Sequence, residues 1–416
     1  MRIVVLGAGL IGVLTAYYLA KDGHEVVVVD RQGDVGLETS FANGALITPS
    51  TSDSWAAPGT PQKILKWLGR EEAPLLLRPS AFPGITRWGL AFLANCRAPR
   101  WRANTEAVLG LALYSMRELH ALLAESPIDF DRNKPGLLKL FRDPLSMASA
   151  QRAGALYAEL GIDTRLLSPE ACVETEPALA PIADQISGGM FYPGDESGDS
   201  WKFTRGVADL CRAQGVDFRL STRILELSTK TGRIAGIVTD KGSLAGDAYV
   251  LALGSYSTGL ARSLGFRLPV YPAKGYSITV EATGWNAGPR IPIADDGRKM
   301  AVTPLGSRLR VGGTVEFAGY DTRLNETRGR MLVEGLGGIL PHYPRDANVT
   351  HWAGLRPLTP SGRPIIGTTP LPNLFVNAGH GPLGFTLACG SGRALADLMQ
   401  GRRPGIDLGS FALGLR

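Results

Sequence analysis

Three glycines near the start of the chain have the spacing of a dinucleotide-binding turn. Gly7, Gly9 and Gly12 follow the apolar run at residues 3–6 and precede a stretch that predicts a helix. In such a turn the first glycine permits the tight bend, the second lets the backbone approach a pyrophosphate, and the third lets helix and strand pack closely. Free N–H groups at the helix start favour a phosphate. The spacing therefore predicts a site for the phosphates of a dinucleotide.

An acidic residue completes this pattern. Asp30 ends a second predicted strand, Glu25-Val-Val-Val-Val-Asp30, and lies 18 residues beyond Gly12, near the ~20 expected for an acceptor of ribose hydroxyls. An export signal or membrane helix is the alternative, because Arg2 precedes a nearly uncharged run. The glycine spacing and the second strand disfavour that alternative. The motif alone leaves FAD and NAD open.

A second group of residues with chemical potential lies near the end of the chain. Arg356, in Gly354-Leu-Arg-Pro357, could hold a carboxylate through two parallel hydrogen bonds, or could form a structural ion pair. Residues 373–379 predict a strand that ends at His380-Gly-Pro-Leu-Gly384, and a helix follows to about residue 400. This second turn could direct another helix N-terminus at the same ligand.

The composition is that of a folded enzyme-sized protein. The chain has 416 residues, 44% of them hydrophobic and 20% charged, which suffices for two domains. The net charge of +6 comes without a basic block, so nucleic-acid binding is not expected. The four cysteines are far apart and no metal site is predicted. After the N-terminal run, no stretch reaches the ~18 uninterrupted apolar residues of a membrane span, but residues 74–96 could touch a membrane surface.

The order of elements predicts an α/β fold of the α+β two-domain type, in which a Rossmann-like domain is interleaved with an antiparallel-sheet substrate domain. The predicted helices include residues 62–68, 103–124, 146–160, 201–214 and 326–340. Antiparallel strands are predicted at residues 276–280, 299–304 and 309–312. The nucleotide-binding domain is assigned to residues 1–85, 196–265 and 352–416, and the substrate domain to residues 86–195 and 266–351.

Seven segments in a fixed order resemble the D-amino-acid dehydrogenase family, within the FAD-dependent amine oxidoreductases. They are Val4-Val-Leu-Gly-Ala-Gly-Leu-Ile-Gly12, Glu38-Thr-Ser-Phe-Ala-Asn43, Trp55-Ala-Ala-Pro-Gly59, Leu253-Gly-Ser-Tyr-Ser257, Tyr271-Pro-Ala-Lys-Gly-Tyr276, Gly354-Leu-Arg-Pro357 and Asn377-Ala-Gly-His-Gly-Pro-Leu-Gly384. The first and last are shared across the group, and the second and fifth are more particular to the dehydrogenases.

The resemblance implies non-covalent FAD and hydride transfer from Cα of a small, D-alanine-like D-amino acid to flavin N5. The products are a 2-oxo acid and ammonia. The implied electron acceptor is a quinone or an electron-transfer protein. The expected location is the cytoplasm, with a peripheral position on the inner face of the cell membrane left open. The oligomeric state is not indicated.

The resemblance also implies roles for individual residues. Arg356 would hold the substrate carboxylate, and the hydroxyl of Tyr276 would contact it, although a strand tyrosine packed between the sheets is the alternative. Tyr271 and His380 are weaker catalytic candidates, and Lys274 lies either near the flavin or on the surface. The implied cofactor-binding residues are Val5, Gly7, Ala8, Gly9, Leu10, Ile11, Gly12, Asp30, Arg31, Thr39, Ser40, Asn43, Gly44, Ile224, Ala252, Gly254, Gly381, Leu383, Gly384, Phe385 and Thr386.

Three other functions compete with this one. A cyclic secondary amine such as 4-hydroxy-D-proline is an alternative substrate. A non-catalytic flavin subunit of an electron-transfer complex would leave Arg356 without a role. An NAD-dependent dehydrogenase would leave residues 38–43 and 378–384 without one.

Overall fold

The structure is a computed structural model that describes residues 1–82 and 84–414. The strands are β1 (Arg2–Leu6), β2 (Glu25–Val29), β3 (Leu46–Ile47), β4 (Leu75–Leu77), β5 (Leu137–Phe141), β6 (Arg165–Leu167), β7 (Gly188–Tyr192), β8 (Glu196–Ser197), β9 (Asp217–Arg219), β10 (Ile224–Lys230), β11 (Arg233–Thr239), β12 (Gly242–Leu244), β13 (Ala248–Leu251), β14 (Tyr271–Glu281), β15 (Ile293–Asp295), β16 (Met300–Leu305), β17 (Arg308–Phe317), β18 (Val349–Leu358), β19 (Ile365–Thr368) and β20 (Leu374–Ala378). The α-helices are α1 (Leu10–Lys21), α2 (Thr60–Trp67), α3 (Thr86–Asn95), α4 (Ala98–Glu125), α5 (Pro144–Glu159), α6 (Pro169–Thr175), α7 (Ser200–Ala213), α8 (Ser257–Ser263), α9 (Glu326–Ile339) and α10 (Gly384–Met399).

The first sheet is the nucleotide-binding sheet predicted from the opening motif. Its six strands run in the order β19-β20-β13-β1-β2-β9, and all are parallel except β19. The central strands are continuous apolar runs because both faces of the sheet are covered. Helices α1, α4, α7 and α10 pack on one face, and the antiparallel sheet β10-β11-β12 packs on the other.

The second sheet supplies the other wall of the site. Its main path is β18-β14-β17-β16-β15-β5-β7-β6, and β4 pairs with β17. Helix α9 covers one face with Leu332, Leu336 and Ile339, which pack against Ile278 and Val311. The predicted strands at residues 276–280 and 309–312 are confirmed but are parts of longer ones, β14 and β17.

The chain passes between the two sheets several times, so the predicted fold class is confirmed. The first sheet collects strands from the beginning, the middle and the end of the sequence, with strands of the second sheet between them. The assigned domain limits stay a prediction, and the one at residue 352 falls inside β18. The short strands β3, β4, β6, β8, β12 and β15 are not among the predicted ones, because two or three residues carry no periodicity.

Helix α4 deserves comparison with a membrane span. Within the described residues it is the one helix whose length and apolar content would allow it to cross a bilayer. Half of its most apolar window is buried in the fold. Leu111, Ala112 and Leu119 belong to the core that α4 shares with α1 and α10. We therefore interpret α4 as a core helix.

Candidate active site

A cavity of about 1380 Å³ is lined by residues of both large sheets. Pockets for a single small ligand measure roughly 300–1,000 Å³, so this one has room for a dinucleotide and a substrate. The predicted site residues that border it are Gly7, Gly9, Leu10, Ile11, Asp30, Arg31, Thr39, Ser40, Asn43, Gly44, Ile224, Ala252, Gly254, Tyr276, Arg356, His380, Gly381, Leu383, Gly384, Phe385 and Thr386. The predicted residues Val5, Ala8, Gly12 and Tyr271 are not part of its lining.

The opening glycine turn has the geometry that a pyrophosphate requires. Gly7 has φ +113°, and a Cβ there would lie 2.6 Å from the carbonyl oxygen of Ala252. A Cβ on Gly12 would collide with the carbonyl of Gly7, so Gly12 serves helix–strand packing. Gly9, at the N-cap of α1, has no side chain to cap the helix, and the first turn of α1 holds no acidic residue. The helix start can therefore receive a phosphate.

The carboxylate of Asp30 binds a backbone amide that was predicted to contact the cofactor, the N–H of Ala8. The carboxylate accepts this N–H at 2.7 Å and the N–H of Gln32 at 2.8 Å. The amide of Ala8 is thus occupied, and Val5 lies fully buried in β1. Burial raises the pKa of Asp30, although the hydrogen bonds from the two backbone N–H groups act to lower it. Each carboxylate oxygen keeps a lone pair for a ribose hydroxyl.

Arg31 forms part of the wall beyond Asp30. Its guanidinium lies 4.2 Å from the ring centroid of Tyr256 and pairs with Glu38 at 2.5 Å. Both partners hold Arg31 in place at the edge of the cavity. The predicted contact of Arg31 with the cofactor stays a prediction.

The loop at residues 39–44 lies between the two sheets. Its backbone and side chains are tied to the second sheet by hydrogen bonds, and Ser40 Oγ accepts the N–H of Leu10 at the start of α1 at 3.2 Å. The ties to the second sheet are Thr39 Oγ1 to Leu355 O at 2.7 Å, Thr303 Oγ1 to Gly44 O at 2.9 Å and Arg310 Nη1 to Asn43 O at 2.9 Å. This loop therefore fixes the distance between the phosphate turn and the substrate-side sheet.

Arg356 lies in β18 with its guanidinium at the cavity. Nη1 donates to the carbonyl oxygen of Thr314 at 3.1 Å. Arg356 is half-buried, no carboxylate of the described residues lies within ion-pair distance of it, and partial desolvation lowers the pKa of Arg356 to about 10. A desolvated cation without an anionic partner is unfavourable, so a carboxylate ligand would be bound strongly here.

Two neighbours of Arg356 were missed in the sequence. A Cβ on Gly275, in the adjacent strand β14, would lie 2.5 Å from Cζ of Arg356, so only glycine leaves room for the guanidinium. Thr314 is an extra residue in β17, between Val315 and Gly313, which pair with Gly275 and Tyr276. Thr314 has φ +54°, and this bulge presents its carbonyl to Arg356. A glycine inside a buried strand was the available signal for Gly275.

The predicted contact of the Tyr276 hydroxyl with the substrate stays a prediction, because Tyr276 borders the cavity while its hydroxyl bonds to Glu316. Successive side chains of a strand point to opposite faces, and Tyr276 lies on the core face, where its hydroxyl donates to Glu316 Oε2. Burial, and then Glu316, raise the pKa of Tyr276. Lys274 is on the same face and is buried, with its Nζ 3.3 Å from Glu316 Oε2.

Tyr271 is also placed away from the predicted role. Its ring packs against Trp88 and Phe317 in an apolar cluster, and its hydroxyl donates to the carbonyl of Ala81 at 3.3 Å. Tyr271 does not border the cavity. Its position gives the predicted contact of Tyr271 with the substrate no support, and that contact stays a prediction.

The closing turn borders the same cavity as the opening one, as predicted. Gly379 and Gly381 have φ +86° and +56°, and α10 starts at Gly384 with neither a side-chain cap nor an acidic residue in its first turn. His380 between them is buried, its Nε2 has no hydrogen-bond partner, and burial lowers its pKa to about 3. The Thr386 hydroxyl accepts the N–H of Thr48 at 3.0 Å.

These residues fit a flavin dinucleotide. One uncapped helix start lies at the phosphate turn and a second lies at the closing turn, and both border the cavity that Arg356 also lines. A helix N-terminus stabilises phosphate at the first place and developing negative charge at the second. Among the described residues no group of three or more His, Cys, Asp or Glu side chains could hold a metal ion.

Comparisons with known proteins give a consistent result. A model of the family described as FAD dependent oxidoreductase matches residues 2–398. The chain is 46% identical to the D-amino acid dehydrogenase of Xanthobacter autotrophicus over 414 residues, which is 99% of this chain and 98% of that one. It is 45% identical to the D-amino acid dehydrogenase of Paramagnetospirillum magneticum with the same coverage.

Solved structures share the fold at lower sequence identity. L-proline dehydrogenase from P. horikoshii has a TM-score of 0.79 and 19% identity, with coverage of 99% of this chain and 96% of that one. Glycine oxidase from Geobacillus kaustophilus has a TM-score of 0.77 and 23% identity, with coverage of 100% and 99%.

Proposed function

The chain belongs to the FAD dependent oxidoreductases, in the group that contains the D-amino acid dehydrogenases, and from this we propose that it deaminates small D-amino acids such as D-alanine oxidatively. One D-amino acid and one water molecule give one 2-oxo acid and one ammonia. Two electrons and two protons pass to an acceptor. When bound, FAD supplies the ring that accepts the hydride.

The observation that carries this proposal is the unpaired guanidinium of Arg356 in the cavity. A carboxylate bound there would gain two charge-assisted hydrogen bonds and would relieve the desolvation of Arg356. The bond to Thr314 and the space above Gly275 fix the direction of the guanidinium. Arg356 thereby orients the substrate Cα for transfer.

The remaining residues of the cavity hold and shield the reactants. The turn at Gly7–Gly9 and Asp30 would bind the dinucleotide, and the start of α10 would stabilise negative charge on the reduced ring. His380, with a pKa of about 3, stays neutral at physiological pH. It can offer a hydrogen bond there but cannot serve as a general acid.

We further propose that the acceptor is not oxygen but a quinone or an electron-transfer protein, and that the protein works in the cytoplasm at the inner face of the cell membrane. The relatives at 45–46% identity are named dehydrogenases, which supports an acceptor other than oxygen. Turnover with a quinone under anaerobic conditions, compared with peroxide formation in air, tests the choice of acceptor.

The test of the proposed reaction uses the purified holoenzyme under anaerobic conditions. D-Alanine should bleach the flavin absorbance near ~450 nm, and L-alanine should not. A panel of D-amino acids and of cyclic amines such as 4-hydroxy-D-proline identifies the preferred substrate. Flavin that no D-amino acid or cyclic amine reduces would refute the reaction.

Arg356→Ala tests the role of the guanidinium. We expect the KM for D-alanine to rise about 10- to 150-fold, which corresponds to the ~1.5–3 kcal/mol of a hydrogen bond to a charged group, while bound flavin is retained. Arg267→Ala removes an exposed arginine that does not border the cavity and is the matched control. An unchanged KM in Arg356→Ala would remove Arg356 from the site.

A further inference from the structure

Helix α2 lies on the surface and exposes leucine side chains at its C-terminal end. None of its residues is buried. Leu65 and the following Leu68 are 69% and 46% exposed, and Lys63 and Lys66 flank them. A short helix with exposed leucines and lysines is typical of a segment that lies in a membrane interface.

Helix α3 extends this surface. Ile64 of α2 packs against Phe92 of α3 in a small apolar cluster, so the two helices are neighbours. Five of the thirteen exposed large apolar side chains of the described chain lie in this region. They are Leu65, Leu68, Phe82, Leu90 and Leu93, and together they define the α2–α3 face. Exposed apolar side chains grouped on neighbouring segments are typical of a binding face.

The segment of the chain that contains this face carries an excess of positive charge. Residues 60–102 contain eight Lys and Arg but two Asp and Glu, so the excess of this segment equals the net charge of +6 of the whole chain. Lys63, Lys66, Arg70 and Arg87 are exposed and form no ion pair among the described residues. Their charges are therefore free to meet an anionic surface.

The lining of the active-site cavity includes apolar side chains of α2, of α3 and of the segment between them, and we call this part of the cavity the apolar arm. Ile64, Trp67, Phe82 and Trp88 line the arm, and Leu75 of β4 continues it inward. Leu75 pairs with Val315, which is adjacent to Thr314, the residue that binds Arg356. The arm thus connects the α2–α3 face with the substrate end of the cavity.

We propose that the α2–α3 face docks on an anionic lipid bilayer and that the apolar arm then opens into it. The exposed leucines and Phe82 would enter the headgroup region, and the unpaired cations would contact anionic headgroups. An acceptor with an apolar tail could reach the cavity from the bilayer without crossing water. A second copy of the chain is disfavoured as the occupant because both faces would be positive. The acceptor part of this inference rests on the proposed function, and the docking part does not.

Sedimentation of the holoenzyme with vesicles tests the docking. The protein should bind vesicles of phosphatidylglycerol and phosphatidylcholine, bind pure phosphatidylcholine weakly, and be released by salt. Lys66→Gln combined with Arg87→Gln should lower partitioning about 30-fold, at about fivefold per charge. Leu65→Ser combined with Leu68→Ser should lower it at least about tenfold. None of these four residues borders the cavity.

Matched controls come from the exposed hairpin β10–β11. Leu225→Ser, and Lys230→Gln combined with Arg233→Gln, remove equally exposed residues at a distance from the face and should leave vesicle binding unchanged. The proposal would be overturned by equal losses of vesicle binding in the α2–α3 variants and in the β10–β11 controls. It would also be overturned if the wild type did not bind anionic vesicles. Binding only to a protein acceptor would overturn it as well.

A kinetic comparison tests the arm. With a decyl-tailed quinone in anionic vesicles, the Lys66/Arg87 and Leu65/Leu68 variants should lose at least about tenfold in turnover. With a water-soluble acceptor they should match the wild type, which also shows that they fold. If the variants and the wild type turned over equally fast with the vesicle-borne quinone, the proposal would be overturned. Flavin bleaching by D-alanine without vesicles is measured separately, so failure of the docking and failure of the proposed reaction are distinguishable.

Discussion

Gly275→Ala adds one methyl group next to the guanidinium of Arg356. Gly275 is not among the glycines with positive φ, so its backbone accepts alanine. The new Cβ would lie 2.5 Å from Cζ of Arg356 and 2.7 Å from Nε. Carbon atoms in contact are separated by about 3.5–4.0 Å, so the guanidinium must move by about 1 Å.

A displacement of this size weakens substrate positioning without removing the charge. It strains or breaks the 3.1 Å bond from Nη1 to the Thr314 carbonyl, and a hydrogen bond of a charged group contributes ~1.5–3 kcal/mol. A 1 Å misplacement in an active site costs up to about 100-fold in rate. We expect kcat/KM for D-alanine to fall about 10- to 100-fold, with most of the change in KM.

Steady-state kinetics with a soluble acceptor measure the effect, and the flavin content shows whether the fold is intact. Gly259→Ala is the matched control, because Gly259 is exposed in α8 and a Cβ there meets no atom within 4 Å. The double variant with Arg356→Ala should be no worse than Arg356→Ala alone, because Gly275 acts through that side chain. An unchanged kcat/KM in Gly275→Ala, or full additivity with Arg356→Ala, would refute the reasoning.

Three further substitutions separate binding, stability and proton transfer. Gly7→Ala places a Cβ 2.6 Å from the Ala252 carbonyl at φ +113°, so the purified protein should contain less FAD, and a stoichiometric flavin spectrum would contradict this. Tyr276→Phe removes the hydrogen bond to Glu316, so urea denaturation should show a loss of ~1.5–3 kcal/mol, whereas a raised KM would support the predicted contact of Tyr276 with the substrate. His380 has a pKa of about 3 and gains a proton only as the pH falls toward that value, so His380→Asn should keep the shape of the kcat/KM profile between about pH 5 and 9. Loss of an ionisation in that range would contradict the neutral state of His380.

The parts of the fold that the sequence predicted well are governed by local signals. The unit β1–α1–β2 follows from two buried apolar runs, three glycines and the terminal Asp30. The final strand and helix follow from the same kind of pattern around Gly379 and Gly384. Parallel strands bring their carboxyl ends to one edge of a sheet, so both turns could be expected at one cavity, and the structure places them there. The cofactor contacts assigned to these residues stay predictions.

The substrate-side sheet was harder to predict because its decisive features depend on pairing. The segment Lys274-Gly-Tyr276 was recognised, but the face of each residue depends on the register of β14 with β17 and β18. The register puts Gly275 beside Arg356 and directs the hydroxyl of Tyr276 to Glu316. The bulge at Thr314 has no sequence signal, because a β-branched residue is disfavoured at positive φ. The bulge at Thr314 follows only from the pairing of β17 with its partner strands.

The sheet separates two sets of charges, and this separation explains why Arg356 is available to a ligand. On the core face Glu316 is satisfied by Arg78 at 2.7 Å, by Lys274 at 3.3 Å and by the hydroxyl of Tyr276. Although burial opposes it, the bonds from Arg78 and Tyr276 hold the pKa of Glu316 below its usual value. Because Glu316 and Arg356 lie on opposite faces of β14 and β17, the carboxylate of Glu316 cannot neutralise the guanidinium of Arg356. The anion that Arg356 requires must therefore come from the cavity, and the carboxylate of an amino acid meets that requirement.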